Sequence, residues 1–411
     1  MALLIVSMSN IFTDHFKNSL TSEPRIWVES SLKHGIDDII SPLFQNASLA
    51  IVDDKNTAEA FGDHVHKALS AKHACEHITF DSSPKADDDA AKYLEVRSSK
   101  YDVIVAVGTG TINDLCKYIS HKHGKPYIVI PTAASMNGYL SANASVTFDG
   151  YKKTVPAHMP AAVLCDMSVV TAAPARLNQS GFGDSIARST AQADWLLSHL
   201  LLGTPYDESV FAPLLAIEDE LLASARGIKL SDAASLKILM NTLLLSGLGM
   251  TAAKGSYPAS QGEHMIAHAY DMHLAHTGST STNLHGEEIA VTALAMANRQ
   301  EALLNIDPIF ADNVFPEARI TELFGEHVAA EAKKAYAAKL EIMKNREISN
   351  WPEIASKIRK VTIPTQRMQT VLTEAGCQTF YGALGWKQDT YITISGSARF
   401  LRDRFTFLDI I

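Results

Sequence analysis

Cysteine is scarce: four residues in 411 (Cys75, Cys116, Cys165 and Cys377), far apart and with no CxxC pair. That scarcity excludes a disulfide framework and a thiolate zinc site, and it suits a reducing, cytoplasmic setting. Positive charge is short as well. With 36 Lys and Arg against 45 Asp and Glu, the formal charge is −9. The chain therefore lacks the basic face with which a nucleic-acid binder displaces phosphate counterions, and any phosphate site must be local. The opening MALLIVSMSN has no basic start and too few apolar residues for a signal peptide or a membrane span, so the chain reads as soluble, with no membrane partner. Internal repeats, low-complexity tracts and Pro/Gly linkers are missing too, so a domain boundary can be placed only where the hydrophobic periodicity changes.

What is present is the composition of a folded protein, 46% hydrophobic and 20% charged. The length exceeds the roughly 250 to 300 residues at which single cores stop growing, which predicts two domains and a cleft. Up to residue 167, the β-rich runs SLAIVD, HITF, YDVIVAVG and PYIVIP alternate with helical stretches such as 57–70 and 88–96. This alternation predicts an α/β, Rossmann-like domain over 1–167 with a parallel sheet. SANASVTFDGYKKTVPAHMPAAVLCD reads as a hairpin around Asp149-Gly150 attached to the end of that sheet. Beyond Asp166, residues 185–202, 209–225, 232–253, 262–274 and 287–305 carry apolar residues at helical spacing, predicting an all-α domain over 168–411.

Three segments carry chemistry. In VIVAVGTGTINDLCKY a buried strand ends at Gly108 and a helix begins near Thr111. Amides at such a helix start hold pyrophosphate, Gly108 and Gly110 permit close approach, and Thr109 and Thr111 add hydroxyls. The third glycine of the usual dinucleotide fingerprint is missing, and a plain tight turn explains the glycines equally well. YIVIPTAASMNGYLSANAS is a second strand running into small and hydroxyl residues, and it places Thr132, Ser135, Asn137 and Ser141 where open parallel sheets bind ligands. The alternative is a compact connection without a site. Asp53 and Asp54, after the strand LAIV, could accept from ribose hydroxyls or simply cap a helix.

The third segment group offers metal ligands. GFGDSIAR places Asp184 at a helix start, QGEHMIAHAYDMHLAHTG presents His264, His268, His273 and His276, and NLHGEE adds His285. His264 and His268 are four apart and share a helix face, and three or four of these groups can converge across helices. Two histidines and a carboxylate leave coordination positions open, which is the arrangement of a catalytic metal, with zinc, nickel and iron all compatible. Residue chemistry alone does not choose the three.

In order and spacing, GTGTIND, PTAASMNGYLS, GFGDSIARSTAQADW, GSYPASQGEHMIAHAYDM, HGEEIAV and the closing SARFLRDRFTFLDII resemble the glycerol-1-phosphate dehydrogenases. These belong to the iron-containing alcohol dehydrogenase and dehydroquinate synthase superfamily. The resemblance implies a nicotinamide-binding domain, a helical metal-binding domain, an active site in the cleft between them, and a homodimer or higher homo-oligomer. The reaction it implies is NAD(P)-dependent reduction of dihydroxyacetone phosphate to glycerol 1-phosphate. Asp184, His264 and His285 become ligands of one divalent metal, and His268 lies beside the substrate. NAD or NADP is expected along Gly108, Gly110, Thr111, Asn113, Asp114, Thr132, Ser135 and Ser141, with Asp54 near the ribose.

Two departures stand out. Asn137 occupies a substrate-facing position where many relatives carry Asp, and it cannot take up a proton; Thr109 replaces the middle of three glycines. The substrate phosphate needs a cation, and Lys152, Lys153, Arg188 and Lys254 are all candidates. A dehydrogenase of glycerol or another free polyol would share the fold and metal. A dehydroquinate synthase-like lyase would typically present Glu in place of Asp184, and a non-catalytic binding protein would not require the three ligands.

Overall fold

Short apolar runs build the first layer of the fold, a parallel sheet. In chain order the strands are Arg25–Glu29 (β1), Leu49–Asp54 (β2), Cys75–Phe80 (β3), Val103–Gly108 (β4), Tyr127–Pro131 (β5), Asn143–Phe148 (β6), Tyr151–Pro156 (β7) and Ala162–Asp166 (β8). Six of them form one parallel sheet in the order β1-β8-β5-β4-β2-β3, and β6 and β7 make a separate two-stranded sheet. Strands β2, β4, β5 and β8 are buried along their whole length. Cover on both faces is why these sequences read as unbroken apolar runs rather than as alternating ones. The computed structural model describes residues 14–20 and 22–411, so the opening MALLIVSMSN lies outside the described residues.

Sheet order decides where a ligand can sit. From β2 the chain moves outward to β3 and then returns to the other side of β2 as β4, so the winding reverses between β2 and β4. Open α/β sheets bind ligands beyond the strand ends at such a reversal. The register pairs Val52 with Ala106 and Gly108 with Pro131. Two residues further along β2, Asp54 therefore lies level with Gly108, and Thr132 follows directly on the next strand. Three motifs widely separated in sequence are thus brought to one edge of the sheet.

The structure departs from the expected organisation in three respects. AAVLCD is not part of a hairpin: it is β8, inserted between β1 and β5, and its partner RIWVE forms a strand the sequence reading passed over. Both pairings are non-local, so neither leaves a trace in local periodicity. The turn between β6 and β7 does fall at Asp149-Gly150, whose φ values of 48° and 79° suit a type I′ hairpin, but that hairpin is a sheet of its own.

Nor do the compact units part at residue 167. One consists of residues up to 148 with 153–181 and 210–256; the other consists of 149–152, 182–209 and 257–411. Periodicity identifies an element but not what it packs on. The helix Ala233–Ala252 joins the sheet-containing unit because Gly247 lies against the backbone of Asn137 and Leu140, where an added Cβ would sit 2.9 Å from the Leu140 nitrogen. Thr251, on the same helix, accepts from Ala142 N at 2.9 Å and donates to Leu140 O at 3.0 Å. By length and composition this helix could cross a membrane; 72% of its apolar window is buried inside the protein, as in a core helix.

The second unit is helical. Its central elements are the long helix Ala175–Leu202 from Phe182 onward, Gly262–His276 and His285–Leu303, around a core that includes Ala193, Leu197, Ile266, Ala269 and Phe407.

Candidate active site and metal centre

In the sheet-containing unit the helix Gly110–Lys122 starts directly after β4, and its N-cap Thr109 makes no side-chain capping bond. Its first amides are left for another acceptor, which suits an anionic ligand. Contact favours glycine at Gly108, where a Cβ would lie 2.8 Å from Ile112; one on Gly110 would lie 2.9 Å from the sulfur of the flexible Met136 side chain.

The loop after β5 is held by a residue the sequence reading did not single out. Lys117 is wholly buried and donates to Gly138 O at 2.6 Å, Asn143 O at 2.9 Å and Ser141 Oγ at 3.0 Å. Asp114 lies 3.5 Å from its ammonium, accepts from Ser145 N at 3.0 Å, and is bonded by Asn113 Nδ2 at 3.2 Å. Burial lowers the Lys117 pKa and raises that of Asp114. Asn113, Asp114 and Ser141 thus shape the loop that carries Thr132, Ser135 and Asn137. Ser135 shares a 3.0 Å hydrogen bond with the Tyr139 hydroxyl, and Thr132 and Asn137 are buried. The one sequence sign of Lys117 was its i,i+3 spacing from Asp114.

Asp54 behaves as a helix cap. Its Oδ1 accepts from Asn56 N and Thr57 N, both at 2.9 Å, and Ser83 donates to Oδ2 at 3.1 Å. Asp53 is buried against His77 Nε2 at 2.6 Å.

In the helical unit Asp184, His264 and His285 each offer one ligand atom, all within 4.8 Å of one another. Asp184 Oδ1 lies 3.4 Å from His264 Nε2 and 3.9 Å from His285 Nε2. Ligand bonds of about 2.0 to 2.2 Å put donor atoms on one ion roughly 3 to 4 Å apart, and both Asp184 distances suit a single divalent cation. His268, one turn after His264, stays outside the donor group, with its ring 5.7 Å from His264 and 5.6 Å from His285. His273 turns away to Leu323 O at 2.9 Å, and His276 is exposed at the helix end.

Packing explains why these three meet. Asp184 does not begin a helix, as GFGD suggested; it lies well inside Ala175–Leu202. Gly181 and Gly183 do not break that helix. A Cβ on Gly183 would lie 2.3 Å from the Gly286 carbonyl oxygen, so its absence lets the helix lie directly on the start of His285–Leu303 and sets Asp184 beside His285. Gly262 plays the same part for the third helix, with a would-be Cβ at 2.6 Å from Met296 and 2.8 Å from Asp194. Buried Asp194 then ties these elements together, accepting from Gly262 N and Phe407 N, both at 2.9 Å, and from Gln300 at 3.2 Å. Burial, reinforced by the nearby Glu263, pushes its carboxyl up to about 8.

Glu263 is the second residue missed by sequence reasoning. Fully buried, it accepts from Thr190 Oγ1 at 3.1 Å and Gln261 N at 2.7 Å, and its Oε1 lies 2.9 Å from His264 Nδ1. A carboxylate on Nδ1 fixes the tautomer in which Nε2 carries the lone pair, here toward Asp184. The Nδ1 of His285 is buried without a hydrogen-bond partner. Replacing Glu263 with Gln should therefore weaken metal affinity by about 10- to 100-fold. Titration of the metal-free protein with zinc, monitored by calorimetry, checks this; an unaltered affinity would show that Glu263 only packs.

Electrostatics distinguish the histidines. Burial opposes charge on His264, but hydrogen bonds with Asp184 and Glu263 outweigh it and push the imidazole up to about 9. Burial, with the charges of Lys152 and His264, pushes His285 down to about 4 against the pull of Asp184. Burial and the positive charge of Lys152 likewise hold His268 well below the ordinary value. Asp184 thus stabilises a positive charge at this point, and a divalent ion bound there would take the place of the proton. Two borderline imidazole nitrogens with one hard carboxylate oxygen suit zinc, nickel or iron.

The iron-containing alcohol dehydrogenase family model matches residues 34–174. The glycerol-1-phosphate dehydrogenase [NAD(P)+] of Bacillus velezensis is 30% identical over 372 residues, covering 88% of this chain and 84% of that protein. Its counterpart in Halalkalibacterium halodurans is 35% identical over 213 residues, 52% of this chain and 53% of that protein, so this alignment spans about half of each. Among solved structures, a probable glycerol dehydrogenase from Sinorhizobium meliloti 1021 superimposes with a TM-score of 0.62 at 17% identity, covering 93% of this chain and 91% of that one, which is a likeness of fold. With a relative of 30% identity aligned over most of both chains, on a fold shared with this superfamily, the chain belongs to the glycerol-1-phosphate dehydrogenase family.

Proposed function

We propose that this protein is an NAD(P)-dependent glycerol-1-phosphate dehydrogenase that reduces dihydroxyacetone phosphate, with Asp184, His264 and His285 holding one divalent metal. The observation that carries the proposal is the convergence of these three donors within 4.8 Å in a chain aligned over 88% of its length with such an enzyme. When bound, the metal supplies Lewis acidity at the ketone oxygen, and reduced nicotinamide supplies the hydride.

The chain's own residues do the rest. Gly108, Gly110 and the uncapped start of the Gly110–Lys122 helix receive the cofactor phosphates, with Thr111, Thr132, Ser135 and Ser141 nearby and Asn113 and Asp114 fixing the loop. Asn137 donates a hydrogen bond to a substrate hydroxyl, as an amide can without exchanging a proton. His268, buried and held neutral, passes a proton by accepting at one ring nitrogen and donating from the other. Replacing His268 with Gln should lower kcat by about 10²-fold, the ordinary contribution of a positioned proton-transfer group, and leave the metal content at one ion per chain. Single-turnover kinetics together with metal analysis would check this, and an unaltered kcat would remove His268 from the proton path.

The deciding experiment is oxidation of NADH and NADPH by the zinc- or nickel-loaded protein with dihydroxyacetone phosphate, dihydroxyacetone or glyceraldehyde. A chelator-sensitive preference for the phosphorylated ketone is the expected result. Activity confined to unphosphorylated substrates would replace the proposal with a polyol dehydrogenase.

A further inference from the structure

Sequence alone left four cations for the substrate phosphate; side-chain contacts put one of them, Lys152, beside the metal donors. Arg188 is buried and donates to Gln192 at 2.6 Å and to Val361 O at 3.4 Å. Lys152 lies in the unit that carries the metal donors, and its ammonium is 2.8 Å from Asp271, a residue one helical turn beyond His268. Residues three apart on a helix are surface neighbours, so Lys152 stands beside His268, whose ring is 5.6 Å from that of the donor His285.

A second cation is built into the same place. Arg402 Nη2 donates to the Lys152 carbonyl at 2.7 Å, its guanidinium lies 5.7 Å over the Tyr151 ring, and the Tyr151 hydroxyl donates to Leu401 O at 2.9 Å. These contacts clip residues 151 and 152 to residues 401 and 402. The positive charges of Lys152 and Arg402 both disfavour protonation of His268.

Two carboxyl groups share the site. Asp271 pairs with Lys152, and Glu288, bonded by Ser281 at 3.1 Å, is buried beside Asp271. Burial and the Asp271 charge push the Glu288 carboxyl well up, against the pull of Lys152. Lys152 and Arg402 thus stand together next to the candidate metal centre.

We infer that Lys152 and Arg402 bind the phosphate of the substrate and so set the preference for a phosphorylated over a free ketone. The inference rests on the dehydrogenase reading above. Lys152 supplies a point charge, and Arg402 supplies the planar fork that matches phosphate oxygens. Asp271, which accepts from Lys152 at 2.8 Å, holds it in position.

The test uses the metal-loaded full chain with Lys152→Met, Lys152→Arg and Arg402→Met. The first readout is the ratio of kcat/KM for dihydroxyacetone phosphate to that for dihydroxyacetone. The second is the affinity for inorganic phosphate, measured by calorimetry. Loss of one charged hydrogen-bonding partner should lower both by about 10- to 100-fold in Lys152→Met and Arg402→Met, with partial recovery in Lys152→Arg. Metal content at one ion per chain establishes that the variants are folded, and Lys152→Arg, which keeps the charge, serves where Lys152→Met does not fold. A ratio and a phosphate affinity both equal to those of the parent would overturn the inference. If the parent protein does not reduce the phosphorylated ketone, the function proposed above fails, and phosphate affinity alone decides: weakening in the variants supports the site, and parent-like affinity rejects it.

Discussion

Asp184→Ala is expected to leave the protein without its metal and to lower turnover by about 10³-fold or more. Lewis-acid stabilisation of a developing alkoxide is worth several kcal/mol, and every 1.4 kcal/mol is roughly a factor of ten in rate. Asp184 is the common neighbour of both histidine Nε2 atoms, at 3.4 Å and 3.9 Å, and it is the carboxylate of the donor set. Without it, two imidazoles on different helices face a cation with no anion to neutralise it. The measurement is metal stoichiometry by elemental analysis alongside NADH oxidation. Because Asp184 is buried, Asp184→Asn provides an isosteric partner that keeps the packing and removes the charge. One metal per chain and parental turnover in both variants would mean that the ion sits elsewhere.

Gly183→Ala should destabilise the helical unit and loosen the metal site, although Ala favours an isolated helix over Gly by about 1 kcal/mol. The added methyl would lie 2.3 Å from the Gly286 carbonyl oxygen and 2.9 Å from the Ala290 Cβ, and the first of these is backbone that no rotamer change can clear. Overpacking of this kind costs roughly 1 to 3 kcal/mol, enough to outweigh the helix propensity. Relief requires Ala175–Leu202 and His285–Leu303 to move apart, which separates Asp184 from His285. A lower Tm for the metal-free protein and a weaker zinc affinity are both expected. A rise in Tm would show that propensity dominates and that the two helices have room to spare.

Much of this protein was legible in residue order. Alternating β-rich and helical runs announced the parallel sheet, and fully buried strands produced the unbroken apolar runs that gave β2, β4 and β5 away. The donor residues were all visible as types, because few side chains can hold a divalent ion. Glycine was the residue most easily misread. In GFGD it signalled a helix start, yet here it lies inside a long helix, because its value is the missing Cβ against Gly286 and only the partner helix reveals that.

Local chemistry therefore determined the elements, the candidate ligands and the family resemblance, since periodicity, turn residues and motif spacing are written along the chain. Tertiary structure decided everything that depends on distance across it. It inserted β8 between β1 and β5 and assigned Ala233–Ala252 to the sheet-containing unit. It gave Asp54 to a helix cap, brought His264 and His285, of five histidines, together with Asp184, and put Glu263 behind His264. The physical reason is common to all of these: a side chain's role is set by what lies within a few ångströms of it, and those neighbours come from segments up to hundreds of residues away.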